Sequence, residues 1–255
     1  MDKVSGLELF ERITLDEMKD IRLMRRIDTK YAIRTEILPH LLKTLAPDYF
    51  IQQDDLSGRR AFEYFTLYYD TPDYAMYRSH QNGKLNRFKI RTREYCDSHS
   101  CFLEIKYKSN KGVTQKTRIE TDDSHTLNQA GSKEFIGTHS PYCSSLLEAK
   151  LESRYRRITL VNKDKTERLT IDFDLEFQHT LTDKKVELPG LVIIEAKKGG
   201  YAPSLVEQKM KQQHITPYRL SKYCLGTALT DPRVKQNGIK RKVFHIHKIT
   251  DFIYG

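Results

Sequence analysis

Eight segments of this chain alternate apolar and polar residues over seven or more positions. They are IDTKYAI (27–33), EYFTLYY (63–69), LNRFKIRTREY (85–95), CFLEIKYK (101–108), VTQKTRIE (113–120), RYRRITLV (154–161), RLTIDFDLEF (168–177) and LVIIEAKK (191–198). A period of two is that of a β-strand, whose successive side chains point to opposite faces. Turn chemistry lies between them, at Asp97-Ser98, SNKG (109–112), NKDK (162–165) and Pro189-Gly190. Short connections of this kind join antiparallel neighbours into hairpins. Eight strands so connected predict a closed barrel or a strongly curved sheet.

The two faces of these strands are unequal. One set carries Arg26, Asp28 and Lys30; Arg87, Lys89, Arg91 and Arg93; Glu104, Lys106 and Lys108; Lys116, Arg118 and Glu120; Arg168, Asp172, Asp174 and Glu176; Glu195 and Lys197. The opposite set carries Phe88, Ile90, Leu103, Ile105, Ile119, Ile171, Phe173, Val192 and Ile194. Two arrangements satisfy that pattern. An ordinary barrel is apolar inside and charged outside. The inverse barrel lines a wet interior with charge and covers its apolar outer face with helices.

Helices are available to do so. Thr14 with Glu17 forms a capping box before LDEMKDI. Thr35 is placed to cap EILPHLLKTL, whose leucines make one stripe. Thr71-Pro72 opens PDYAMYRSHQ, and Gly83 stops it. Ser204 opens LVEQKMKQQ, and YRLSKYCLGTAL (218–229) reads as the last helix. The basic tail KRKVFHIHKI (240–249) reads as a final strand.

The chain has 255 residues and no linker or repeat, which fits a single domain spanning 1–255. Its formal net charge is +10 and its pI about 9.3, so a polyanionic partner is expected: nucleic acid, an anionic membrane or phosphate compounds. Cys96, Cys101, Cys143 and Cys224 show no zinc-type spacing and read as reduced thiols. No signal peptide is visible, and no run approaches the roughly 18 apolar residues of a membrane span. A soluble cytoplasmic protein is expected, with any membrane contact peripheral.

Two E-x-K units, Glu104-Ile105-Lys106 and Glu195-Ala196-Lys197, each aim a carboxylate and an ammonium from one strand face. Arg91-Thr92-Arg93 and Lys116-Thr117-Arg118 aim paired cations in the same way. Arginines grip phosphate oxygens bidentately, lysines act as point charges, and a carboxylate holds a divalent ion. A face built of these groups suits a metal–polyphosphate.

The segments RRIDTKY (25–31), YYDTPDYAMY (68–77), FKIRTRE (88–94), FLEIKYK (102–108), QKTRIE (115–120), SRYRRITL (153–160), RLTIDFDLEF (168–177), VIIEAKK (192–198) and YRLSKYCLG (218–226), in this order, resemble the catalytic domain of the vacuolar transporter chaperone (VTC) polyphosphate polymerases. That family belongs to the triphosphate tunnel metalloenzymes. The resemblance covers roughly residues 20 to 230. It implies an α+β fold: an antiparallel eight-stranded β-barrel tunnel with a charged interior, covered by α-helices.

By the same resemblance Lys30, Arg91, Arg93, Lys106, Lys116, Arg157 and Arg168 match the tunnel cations, and Tyr155 a tunnel tyrosine near the phosphates. Glu195 matches the metal-binding glutamate, for Mn²⁺ or Mg²⁺. Arg219, Ser221 and Lys222 match a K-x-S-K motif at the start of the last helix, with Arg in place of its first Lys. Lys222 joins the catalytic cations. Lys197, Glu104 and Arg118 are further candidates to touch substrate.

The implied activity is ATP-dependent polyphosphate synthesis, with ATP, phosphate or pyrophosphate, and polyphosphate as partners and no nucleic acid. A tunnel triphosphatase and a non-catalytic polyanion binder are the alternatives. The hydrolytic and cyclase relatives begin with E-x-E-x-K. Here the stretch is Arg26-Ile27-Asp28-Thr29-Lys30, and the added cation favours an anionic acceptor over water.

Outside that set, the scattered histidines (His40, His80, His99 among them) are not expected to be catalytic, because phosphoryl transfer rests on positioning and cations. Asp172 and Asp174 either hold a second metal or pair with Arg168 or Lys116, and pairing is the favoured reading. The tyrosines of EYFTLYYDTPDY could stack on adenine, though most read as barrel packing. Arg87 and Lys89 either extend the phosphate path or sit at a solvated entrance.

Overall fold

The computed structural model describes residues 4–19, 21, 26–200 and 203–250, with backbone alone for Lys19 and Arg26. Among these residues the chain forms eleven strands: β1 (Glu11–Ile13), β2 (Arg26–Arg34), β3 (Tyr49–Gln52), β4 (Phe62–Asp70), β5 (Arg87–Tyr95), β6 (Ser100–Lys108), β7 (Thr114–Thr121), β8 (Glu148–Asn162), β9 (Glu167–His179), β10 (Lys185–Leu188) and β11 (Leu191–Gly199). It also forms α1 (Leu15–Lys19), α2 (Leu38–Leu45), α3 (Ala75–Gln81), α4 (Ala130–His139), α5 (Leu205–Gln212), α6 (Lys222–Thr230) and α7 (Lys240–Thr250).

The eight alternating segments become the eight strands of one antiparallel path, ordered β2-β11-β9-β8-β4-β5-β6-β7. Three short strands lie off that path: β1 pairs with β3 in parallel, β3 with β8, and β10 with β9. No ladder joins β7 to β2 among the described residues. The sheet nonetheless curls on itself. β2 and β5 are five strand steps apart, which in a flat sheet is roughly 24 Å. Yet Lys30 of β2 donates to the Leu220 carbonyl at 3.4 Å, and Lys89 of β5 donates to the neighbouring Ser221 hydroxyl at 2.9 Å. One turn of chain spans the gap, so the strands wrap around a common interior.

The apolar set faces outward under helices. Leu38, Leu41, Leu42 and Leu45 of α2 pack with Ile33, Ile158, Leu169, Ile171, Val192 and Ile194, joined by Val206 and Met210 of α5. Each such leucine contributes about 2 kcal/mol by burial. On the other flank α4 lays Phe135 and Ile136 against Leu67, Ile90, Leu103 and Ile105. The charged set therefore points inward, and the inverse barrel is the arrangement adopted.

One helix departs from the expected covering role. Helix α6 enters the concave side and fills one end of it, with Tyr223 stacked on Tyr68 at 5.1 Å. Leu225 and Leu229 pack there against Leu151, Leu175, Phe177 and Leu188. This close approach needs Gly226: a Cβ there would stand 2.5 Å from Phe177 and 2.6 Å from Leu151. β9 is bent to suit by a bulge, with Asp174 at φ 51° opposite the register shift between Arg154 and Arg156 of β8. The shift lets Leu175 and Phe177 turn inward, whereas Leu169, Ile171 and Phe173 face out.

Several local expectations are corrected. The tail 240–249 is helix α7, because Ile239, Val243, Ile246 and Ile249 recur at helical spacing and pack on the α6 core. Helix α3 begins at Ala75 rather than Pro72. Its free amides at Met76 and Tyr77 donate to the carboxylate of Asp70, which is fully buried and also accepts from Tyr223. Thr35 caps no helix; its hydroxyl donates to the Pro189 carbonyl. The Thr14–Glu17 box and the Ser204 cap are both formed. Of LDEMKDI, Leu15–Lys19 is helical and Asp20 lies outside the described residues.

Candidate active site

The inward faces surround a cavity of about 1490 Å³. Thirteen lysines and arginines line it, against three carboxylates, Asp28, Glu195 and Glu207. That imbalance makes an empty cavity self-repelling and a polyanion its complement. β2, β11, β8, β5 and β6 supply Lys30, Glu195 with Lys197, Arg157, Lys89 with Arg91 and Arg93, and Lys106. The N-terminus of α6 closes one side with Ser221 and Lys222, and Arg219 lies just before it. Ser221 caps the helix by accepting from the Cys224 amide at 3.4 Å.

Part of the wall is internally neutralised. Glu104, fully buried, accepts two bonds from Arg91 at 2.9 and 2.6 Å and one from Lys116 at 2.7 Å. Burial works against its charge, but Arg91, Arg93 and Lys116 hold its carboxyl far below the usual range. Asp172, also buried, takes Arg157 at 2.5 and 2.8 Å and an ammonium contact from Lys222. Burial is again outweighed by the two cations, and its carboxyl stays strongly acidic. The pairing reading of Asp172 is right in kind, with the partners changed to Arg157 and Lys222. Asp174 turns away at the bulge, half-exposed and 3.7 Å from Arg156.

The rest of the wall is neutralised only in part, at Glu195. Arg93 is buried, with its Nε 3.4 Å from the Thr66 hydroxyl and its guanidinium 5.6 Å from the Tyr64 ring, and makes no ion pair among the described residues. Lys106 likewise has no ion pair there; the Arg91 charge, burial and Arg93 push its ammonium well below the usual lysine range. Burial pushes Lys89 down to about 8. Glu195 stands opposite Lys30 across the β2–β11 ladder, 3.8 Å from its ammonium and 3.6 Å from that of Lys197. Burial opposes its ionisation, yet Lys30, Lys197 and Lys106 hold it well below the usual range.

Tyr155 bridges the two parts. Its ring stacks on Tyr64 at 5.4 Å, with the Lys222 ammonium 4.4 Å and the Arg157 guanidinium 5.3 Å from it. Its hydroxyl is buried without a hydrogen-bond partner among the described residues.

Of the sequence candidates, Lys30, Arg91, Arg93, Lys106, Arg157, Glu195, Lys197, Arg219, Ser221 and Lys222 line the cavity. Glu104 and Tyr155 stand behind its wall. Lys116 reaches Glu104 from a half-exposed position, and Arg118 is exposed over the Phe102 ring at 4.4 Å. Arg168 lies at the start of β9, opposite Lys197 in register, and donates to the Met18 carbonyl at 3.1 Å. The Arg26 side chain lies outside the described residues. Arg87 and Lys89, left open by the sequence, both line the cavity.

Lys108, on the charged face read from the sequence, also lines it, and sequence reasoning missed Lys211, Lys242 and His80, which do so too. Lys211 and Lys242 sit on helices, where no strand alternation marks them. Burial and the charges of Lys89 and Arg87 push the His80 imidazole down to about 2, so it is neutral.

The donor set also bears on a metal. No cluster of three His, Cys, Asp or Glu side chains occurs among the described residues. A hard divalent ion does not need one, since phosphate oxygens and water complete its shell around one or two carboxylates. Glu207 is engaged by Thr29 and Lys198. Glu195, facing the cavity among lysines, fits the remaining role.

The antiparallel fold aligns with several solved structures. A candidate adenylate cyclase from Bacillus halodurans aligns with a TM-score of 0.50 at 12% identity, covering 78% of this chain and 95% of that one. A candidate adenylate cyclase from Vibrio parahaemolyticus aligns at 0.45 and 11% identity, covering 79% and 97%. A candidate adenylyl cyclase from Hippeastrum, with a dominant triphosphatase activity of its own, aligns at 0.49 and 16%, covering 80% and 95%. No curated protein matches the chain. The model of the VTC domain matches residues 25–230, and the chain belongs to that family.

Proposed function

We propose that this protein is an ATP-dependent polyphosphate polymerase. Membership of the VTC domain family supports a triphosphate-related function. The observation that carries the finer reading is the charge of the cavity, thirteen cations against three carboxylates. A hydrolase needs to bind one polyanion and activate water. A polymerase must hold two, the nucleotide triphosphate and the acceptor chain, and release only ADP.

In this reading the terminal oxygen of phosphate, pyrophosphate or polyphosphate attacks the γ-phosphorus, and the γ-phosphorus–oxygen bond to ADP breaks with its electron pair. The acceptor oxygen is largely deprotonated near neutral pH, so no strong base is required. Arg93 and Lys106, without ion pairs of their own, neutralise charge on the transferring group. Arg91 and Arg157, fixed by Glu104 and Asp172, hold donor or acceptor oxygens at set positions. Tyr155, behind the wall, supports Arg157 and Lys222 with its ring. Lys30 and Lys197 orient Glu195, which would hold Mn²⁺ or Mg²⁺. Such an ion, when bound, supplies Lewis-acid charge to the phosphate oxygens.

The test is to incubate the protein with ATP and Mn²⁺ or Mg²⁺ and resolve the products on a gel. Chains of many phosphates are expected. ADP and orthophosphate alone would assign the cavity to triphosphate hydrolysis instead, and no turnover with any nucleotide would assign it to polyanion binding.

A further inference from the structure

The cavity accounts for much of the net positive charge, but not for the outer face of α7. Exposed positions on this helix are Lys240, Arg241, Phe244, His245 and Lys248. They fall at spacings of one, three or four residues and so form one stripe. The helix contains no acidic residue. Arg34, also exposed, adds a cation at its C-terminal end by donating to the Lys248 carbonyl at 3.1 Å. At the centre stands Phe244, 71% exposed. The opposite face is fully used, with Ile246 completely buried and Val243 and Ile249 packed on the α6 core.

Inorganic polyphosphate or a purely acidic chain such as polyglutamate would use the cations and gain little from an exposed phenyl ring. A bilayer surface uses both: anionic headgroups meet the basic side chains, and an aromatic ring inserts at the interface. We propose that the outer face of α7 is a peripheral docking surface for anionic lipid membranes, with Phe244 as the inserting residue. This surface is separate from the cavity chemistry and stands whether the protein polymerises phosphate or not. It adjoins the cavity, however. His245 stacks on Tyr218 at 4.6 Å, and Tyr218 and Lys242 both line the cavity. A protein seated on α7 keeps that rim beside the membrane.

The experiment is co-sedimentation of the whole chain with vesicles of phosphatidylcholine, with and without phosphatidylserine, across a salt series. Binding to the anionic vesicles only, weakening with salt, is expected. Each basic side chain near an anionic surface contributes roughly fivefold, so Lys240→Glu/Arg241→Glu/Lys248→Glu loses about a hundredfold in affinity. Phe244→Ala alone, which touches no core residue, loses several-fold and leaves a purely salt-sensitive remainder. Circular dichroism confirms that both variants are folded.

Absence of binding to phosphatidylserine vesicles overturns the proposal. So does binding that survives the triple substitution and is competed away by inorganic polyphosphate, which would place it at the cavity. Equal loss on polyglutamate and on vesicles, with Phe244→Ala silent on both, would make the stripe a generic acidic-partner site and also overturn it.

Discussion

The cavity wall has two regions with the same residue types and opposite electrostatics. Around Glu104 and Asp172 each buried carboxylate holds two cations, Arg91 with Lys116 and Arg157 with Lys222. Around Arg93, Lys106 and Lys89 no carboxylate takes that part among the described residues, and Lys106 and Lys89 are pushed toward neutrality. The first region is fixed before any ligand arrives and contributes to the fold. The second is under repulsion that only an anion relieves. A barrel that turns its charges inward therefore has to divide them between structure and binding.

Neutralising a clamp should unfold the protein, and neutralising an unclamped cation should not. Asp172→Asn leaves Arg157 and Lys222 buried together and is expected to cost about 3–5 kcal/mol of stability, read as a large fall in denaturation midpoint. Lys106→Met is expected to lower the proposed polymer formation by about 10²–10³-fold, while its melting temperature holds or rises. If the two substitutions had the same effect on stability, the distinction would fail.

A third substitution tests whether the clamped side depends on α6. Gly226→Ala places a methyl within 2.6 Å of Phe177 and Leu151. The expected cost is about 1–3 kcal/mol, with a rise in KM as Lys222 and Ser221 shift.

The smallest effect is that of pH. Lys89 has its charged form disfavoured by burial, with its midpoint near 8. The unfolded chain keeps that proton up to the ordinary lysine value, so this residue makes the free protein more stable as pH rises above about 8. A bound polyanion favours the charged form and raises the midpoint. Affinity is then highest below about 8, falls as pH rises through it, and binding in that window takes up protons. Calorimetry in buffers of different ionisation enthalpy reads that uptake.

The strand faces were legible in the sequence because alternation over eight segments leaves few readings. Their inward or outward sense was not legible from the residues alone. Arg91 and Ile90 look the same in either barrel, and the resemblance carried by segments such as FKIRTRE and VIIEAKK decided it. Glu195, Arg93 and Lys106 were found because they sit on alternating strands.

Lys211, Lys242 and His80 were missed because helices and loops bring them in from outside that pattern. The pairing of Asp172 with Lys222 joins residues fifty positions apart, and it depends on α6 entering the barrel, which Gly226 permits but does not announce. Helix α7 was misread because a stretch of ten residues with Val243, His245 and His247 in alternation satisfies a strand template as well as a helical one.

The most direct test titrates inorganic tripolyphosphate into the wild-type protein, Lys106→Met and Arg118→Ala by calorimetry at neutral pH. The account predicts tight binding to wild type, nearly the same binding to Arg118→Ala, since Arg118 is exposed outside the cavity lining, and a loss of at least tenfold for Lys106→Met. Equal affinity of Lys106→Met and wild type would contradict it.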